Sequence, residues 1–277
     1  MAAKISIVPM SGALGAQVRG VDLSTSLHST AFETIHQALL DYQVIHFPNQ
    51  QITPHQHLEF AKRFGTPGDY PFARGLPDFP KITEIVKEPH EDINFGGEWH
   101  SDTTYLETPP KLTTLYAKEA PRHGGDTLFA NMYLAYETLS PGMKKMLDGT
   151  SAIYSAGLLP REKRDGYATM QGTNVDKLNM SAEHPVVRTH PETGRKSLYI
   201  NDTHTLSFKD MTREESLPLI RYLCERAVRP EFCCRLRWAP GTFTIWDNRC
   251  SQHFAVNDYA GQRRVMHRLI VTGDKPV

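Results

Sequence analysis

Thirteen histidines stand in this 277-residue chain, and the first question is which of them could do chemistry. A mononuclear iron(II) centre that activates oxygen needs two imidazoles and one carboxylate on one face of the metal, with positions left open for cosubstrate and oxygen. An H-x-D pair supplies two of those ligands compactly, because residues i and i+2 of an extended segment point the same way. Two such pairs occur, His90-Glu-Asp92 and His100-Ser-Asp102, together with His57-Leu-Glu59 and His190-Pro-Glu192. Composition alone yields about 0.7 H-x-D matches, so context has to decide. His57 and Glu59 fall on a predicted helix, where i and i+2 diverge. His190-Pro-Glu-Thr-Gly reads as a turn, and His90 lies in a charged loop. His100 follows Trp99 and precedes the extended run Thr103-Thr104-Tyr105-Leu106. From these residues alone, metal ligation and a structural role for His100 and Asp102 stand level.

A second group lies near the C-terminus, in Trp246-Asp-Asn-Arg-Cys-Ser-Gln-His253 and Gln262-Arg-Arg264-Val-Met-His-Arg268. On a strand, Arg264, Met266 and Arg268 share one face, and Val265 and His267 share the other. Two arginines facing a core are costly unless each meets an anion. Four residues of strand separate their backbones by roughly 13 Å, which suits two different anionic ligands better than one. The alternative is a pair of surface arginines on an edge strand. The four cysteines, Cys224, Cys233, Cys234 and Cys250, form no C-x-x-C; zinc is not expected there, and Cys233 and Cys234 should face opposite ways.

The elements that must position these groups are mostly strands. Strands are predicted at Ile5–Val8, Gln17–Gly20, Val44–Phe47, Ile82–Val86, Leu112–Ala117, Ala152–Ser155, Val186–His190, Ser197–Ile200, Phe232–Trp238, Thr242–Trp246 and Val265–Val271, with a turn at Pro240-Gly241. Helices are predicted where Phe32, Ile35 and Leu39 recur, after the capping box Thr53-Pro54-His55-Gln56, over about 131–147 with a break near Ser140-Pro141, and from Thr212 to about Ala227. Strands outnumber helices and do not alternate with them, which argues against a doubly wound parallel sheet. A mostly β fold with flanking helices, its antiparallel core closed or sandwiched, fits better. The length fits one large domain spanning 1–277. The polar, patternless stretch at about 157–183 reads as an insertion or lid, or as a plain surface excursion.

Lysine plus arginine and aspartate plus glutamate both number 31, so the net charge is zero; binding of nucleic acid or an anionic membrane through bulk charge is excluded. No run approaches the roughly 18 apolar residues of a membrane span. No cationic start followed by an apolar stretch is visible, so a cytoplasmic protein with reduced thiols is expected.

Taken together, His100-Ser-Asp102, Trp246-Asp-Asn-Arg, Gln252-His253 and Arg264-Val-Met-His-Arg268 resemble the taurine dioxygenase / TfdA family of iron(II)- and 2-oxoglutarate-dependent dioxygenases. Tyr42–Pro48, Gly124-Gly-Asp-Thr127, His184–Pro191 and Gly273–Pro276 are also similar to family segments, so the likeness covers nearly the whole chain. The resemblance implies a double-stranded β-helix, or jelly-roll, core. It implies Fe(II) held by His100, Asp102 and His253, with 2-oxoglutarate and O2 as cosubstrates. It implies that Arg264 and Thr127 bind the far carboxylate of 2-oxoglutarate and that Arg268 grips the anionic head of a small organic substrate. The reaction implied is hydroxylation with release of succinate and CO2; Asp102 matters here, because halogenating relatives lack that carboxylate. Tyr70 and Tyr105 are candidates to line the substrate pocket. Tyr70, Ala73 and Gly96 depart from the polar contacts that taurine enzymes carry at the matching positions, which points to a bulkier or less polar anion such as another alkylsulfonate, a sulfate ester or an aryloxy acid rather than taurine. Relatives are often homodimers or homotetramers, which sets that expectation here. A non-catalytic β-barrel that binds 2-oxoglutarate or another small anion is the competing reading.

Overall fold

In the computed structural model the described residues are 5–158 and 179–277. The largest sheet has eight strands: β1 (Ser6–Pro9), β2 (Ala16–Arg19), β3 (Val44–Phe47), β4 (Gly75–Leu76), β5 (Phe79–Lys87), β6 (Leu112–Glu119), β14 (Phe243–Asp247) and β16 (Arg264–Val271). Their spatial order is β1-β2-β3-β14-β6-β16-β5-β4. Facing it is a three-stranded sheet of β13 (Cys233–Leu236), β7 (Thr127–Asn131) and β15 (Ser251–Ala255), in that order. A second three-stranded sheet orders β12 (Thr205–Phe208), β8 (Ser151–Ser155) and β9 (Ser181–Pro185), and β10 (Val187–Thr189) pairs with β11 (Lys196–Leu198). The pairings are antiparallel except for β2 with β3. The fold is therefore mostly β, with flanking helices α1 (Ser29–Tyr42), α2 (Pro54–Lys62), α3 (Met132–Glu137), α4 (Pro141–Leu147) and α5 (Arg213–Ala227).

Local chemistry explains most boundaries. Thr53 and Gln56 satisfy each other's backbone N–H groups in a reciprocal cap, with Pro54 at the first helical position. Thr212 and Glu215 do the same for α5. Ser140 caps α4 and Pro141 opens it, which is why the helical stretch over 131–147 divides. The predicted strands match observed ones to within a few residues. The sequence reading missed five: β4, β7, β9, β12 and β15. β7 and β15 matter most, because they carry Thr127 and His253. Ser251, Gln252 and His253 are all buried polar residues, so no alternation of apolar and polar side chains marks the strand. Of the insertion expected at about 157–183, Ser181–Glu183 belong to β9, and 159–178 lie outside the described residues.

Helices α1 and α2 cover one face of the large sheet, where Ile35, Leu39 and Phe60 meet Ile45, Phe47 and Phe243. The other face packs Leu115, Trp246 and Met266 against Phe129 and Leu236 of the facing sheet, with Trp238 just beyond the end of β13. Cys234 joins this second core, whereas Cys233 turns away toward the α3–α5 side, so the two thiols do face opposite ways. Strand β16 lies inside the sheet between β6 and β5, so Arg264 and Arg268 are not edge residues. They are 6% and 4% exposed, which removes the surface-arginine alternative. Among the described residues no helix is long and apolar enough to cross a membrane.

Candidate metal and anion site

His100 and His253 are joined through their backbones. His100 N donates to His253 O at 3.1 Å and His253 N to His100 O at 2.9 Å, a hydrogen-bonded antiparallel bridge between a loop and β15. Their rings lie on the same side, 4.2 Å apart between centroids. Asp102 follows through a turn pinned by Ser101 Oγ, which donates to Ser251 O at 2.8 Å. Thr103 continues it at φ 45, a left-handed conformation rare for a β-branched residue. Asp102 Oδ1 stands 3.8 Å from His100 Nε2 and 3.9 Å from His253 Nε2. One ligand atom from each of the three lies within 4.8 Å of the others. His100 Nδ1 is 2.7 Å from Glu98 O, so it carries the proton and leaves Nε2 with its lone pair toward the aspartate.

The carboxylate is held firmly. Thr113 Oγ1 donates to Asp102 Oδ2 at 2.5 Å, and Asn248 Nδ2 donates to Thr113 Oγ1 at 2.9 Å. Asn248 Oδ1 in turn accepts from Asp102 N and from Trp246 Nε1. Arg268 Nη2 lies 2.7 Å from Asp102 Oδ1, a buried ion pair. Burial alone would raise the Asp102 pKa; the Arg268 guanidinium, with the Thr113 hydroxyl adding a hydrogen bond, outweighs it and holds the carboxyl well below the usual range. Burial pushes His100 and His253 down, so both rings stay neutral and able to donate lone pairs. Two neutral imidazoles and one carboxylate, all buried, suit a divalent cation that takes nitrogen and oxygen.

A narrow pocket joins this trio to both arginines, with Ile85, Phe95, Leu115, Trp246 and Ala255 among its walls. At one end Arg264 and Thr127 come together around Trp238, which donates from Nε1 to Thr127 Oγ1 at 2.9 Å and has the Arg264 guanidinium 5.7 Å from its ring centre. At the other end Tyr70 stacks on Arg268, its ring centre 4.6 Å from the guanidinium carbon. Tyr105 is buried among apolar side chains, against Phe72 and the ring of His204. Gly96 has φ 79, and a Cβ there would lie 3.4 Å from the His100 ring. The other histidine–carboxylate pairs lie elsewhere: His90 and Asp92 are exposed, and His57 is buried against Thr114 while Glu59 pairs with Lys62.

Sequence reasoning assigned no role to Thr113, nor to Asn248 within Trp246-Asp-Asn-Arg, and it placed His190 where a predicted strand ends in a turn, with no role for its side chain. The backbone does turn there, but the His190 side chain is buried and its Nε2 lies 3.0 Å from Asp247 Oδ2. His190, Asp247 and Cys250 are close enough to be a second metal-ligand trio. However, Arg249 grips Asp247 through two nitrogens at 2.9 and 2.6 Å and reaches Glu192 at 2.7 Å. The guanidinium occupies the carboxylate oxygens that an ion would need, so this trio is a buried salt-bridge network.

The sequence matches the family model of the taurine catabolism dioxygenase TauD, TfdA family, over residues 6–270. The chain belongs to this family. As a TauD/TfdA member it is a dioxygenase that works with iron(II), 2-oxoglutarate and oxygen. It is 33% identical to an alkylsulfatase of Acinetobacter baylyi, covering 98% of this chain and 86% of that protein. It is 32% identical to an (S)-phenoxypropionate/alpha-ketoglutarate-dioxygenase of Sphingobium herbicidovorans, covering 99% and 97%. Among solved structures, AAD-2 in complex with Mn(II) and N-oxalylglycine superposes with a TM-score of 0.82 at 28% identity, covering 99% of each chain.

Proposed function

We propose that this TauD/TfdA member hydroxylates a small anionic organic substrate, an alkylsulfonate, a sulfate ester or an aryloxy acid, in a site built by His100, Asp102, His253, Arg264, Thr127 and Arg268. The observation that carries the proposal is the arrangement of charge: a neutral–neutral–anionic trio of donors with a buried arginine on either side, both opening on one cavity. His100, His253 and Asp102 would hold iron(II) through Nε2, Nε2 and Oδ1. Bound there, iron(II) with 2-oxoglutarate and oxygen would supply the oxidising equivalent for hydroxylation of a C–H bond, with succinate and CO2 as coproducts. Arg264 clamps the far carboxylate of 2-oxoglutarate, since a guanidinium fork matches a carboxylate in two places, and the Thr127 hydroxyl adds a donor. Arg268, paired with Asp102 Oδ1 here, would turn from that oxygen to the anionic head of the substrate and so fix its distance from the metal. Phe95, Leu115 and Ile85 exclude water around the reacting carbon. Hydroxylation of a carbon bearing a sulfonate, sulfate or aryloxy group yields a product that collapses and releases that group as an anion.

Three features support the substrate class. The relatives include an alkylsulfatase and a phenoxypropionate dioxygenase. Gly96 leaves room beside His100 for a bulkier group. Tyr70 and Phe95 give the Arg268 end an aromatic wall, with Tyr105 behind it. We further infer a single domain over 1–277 with a double-stranded β-helix core, a cytoplasmic location, a homodimer or homotetramer, and no nucleic-acid or membrane partner. Membership of a dioxygenase family favours the enzyme over a barrel that only binds 2-oxoglutarate. The test is succinate release with iron(II), 2-oxoglutarate and a panel of sulfonates, sulfate esters and aryloxy acids. Substrate-dependent succinate in at least one of these classes is expected. Coupled turnover with taurine alone would overturn the substrate assignment, and no turnover with any would overturn the reaction.

A further inference from the structure

Strand β5 pairs with β16 so that Thr83 faces Arg268, Ile85 faces Met266 and Lys87 faces Arg264. Paired residues in an antiparallel ladder project from the same face. Arg264, Arg268 and Ile85 line the cavity, so Lys87 points to the cavity side of the sheet, next to Arg264. The lysine is 4% exposed, and its Nζ makes no hydrogen bond or ion pair among the described residues. Its contact is with the ring of Tyr259, whose centre is 4.7 Å away. Arg264 is incompletely served: its Nε has no partner, and Asp126, the acid that acts on it, is bound by Arg235 at 2.6 Å. The charge of Arg264 also acts on Tyr259, whereas its guanidinium lies by the ring of Trp238. Two adjacent buried cations with no ion pair of their own among the described residues repel each other and lack solvation. A lysine kept only for packing would place its charge in solvent, as long cationic side chains ordinarily do.

We propose that Lys87 is a second cationic anchor for the far carboxylate of 2-oxoglutarate, acting beside Arg264 and selecting a dicarboxylate over a 2-oxoacid without the second acid group. The inference rests on the assignment of Arg264 to that carboxylate. A guanidinium and an ammonium together can offer donors to both carboxylate oxygens and leave neither cation unpaired. The selectivity follows because pyruvate, which has no far carboxylate, gains nothing from either cation.

The test uses calorimetric binding of 2-oxoglutarate and of pyruvate to the Mn(II)-loaded protein, with thermal melting before ligand is added. Lys87→Met is expected to weaken 2-oxoglutarate binding by about tenfold to a hundredfold and to leave pyruvate binding unchanged. Lys87→Arg should recover most of the loss. Without 2-oxoglutarate, Lys87→Met should melt no lower than the parent, because it removes an unpaired buried charge. Binding of 2-oxoglutarate within about twofold of the parent, while Arg264→Leu loses it, would overturn the role of Lys87 and leave the site assignment standing. Equal weakening of both ligands with a lower melting temperature would make Lys87 structural and also overturn it. If Arg264→Leu binds as the parent does, the site assignment fails and the inference fails with it.

Discussion

Asp102 is the most constrained side chain of the site, because one of its oxygens faces the imidazoles and Arg268 while the other is fixed by Thr113. Asp102→Ala is expected to abolish substrate-coupled succinate release; full turnover in that variant would unseat the ligand assignment. Thr113→Val and Asn248→Ala leave all three donors in place but free the carboxylate to rotate. Each should weaken metal binding by about tenfold to a hundredfold, read by titrating Mn(II) against the protein. An unchanged affinity in both would mean that the turn alone orients Asp102. At this scale the sequence exposed residues that form a compact motif and concealed those that meet across strands. His100 and Asp102 are two positions apart, and Arg264 and Arg268 share a strand face, so their spacing carries information. Thr113 reaches Asp102 from another strand, and Lys87 lies in a run that reads as ordinary β, so neither had a local signal.

The elements that hold the site differ in how plainly they announced themselves. Reciprocal caps at Thr53 and Thr212 are local hydrogen bonds and were readable. β7 and β15 were not, because their residues are chosen for what they carry into the cavity and for pairing with each other through the full length Thr127–Asn131. The turn between β14 and β15 is held by Asp247, Arg249, His190 and Glu192. Arg249→Met strands a carboxylate at 1% exposure and should cost about 3–5 kcal/mol, measured by urea unfolding. Pairing it with Asp247→Asn should return part of that loss, since the uncompensated charge is then gone. A loss under about 1 kcal/mol for the single variant would show that the network is dispensable for folding.

Over the whole molecule, several histidines are folded in as neutral rings, which fixes how stability depends on pH. Burial pushes His57 down to about 3, with His267 adding to it, and pushes His46 down to about 4, with Arg19 adding to it. Their unfolded values are near 6.5, so below that pH the unfolded chain takes up protons that the folded chain refuses. Stability should be level above about pH 6.5 and fall on acidification, each ring contributing up to about 1.4 kcal/mol per pH unit until its folded pKa is reached. Urea midpoints between pH 7 and pH 4 measure this, and His57→Gln should flatten the slope. A parent whose midpoint is the same at pH 4.5 and pH 7 would contradict the buried-neutral assignment. The class of fold was legible at this scale from strand count and irregular order. The division of strands among sheets was not, because ladder partners such as β14 and β3 are far apart in sequence.

The reciprocal amide bonds between residues 100 and 253 carry one more consequence. Two segments separated by more than half of the polymer are basted together at the very residues that bear the imidazoles, so neither backbone can drift from the other without unpicking both stitches. In heavy water the two amides should therefore take up deuterium in step, and a variant that quickens exchange at one should quicken it equally at the other.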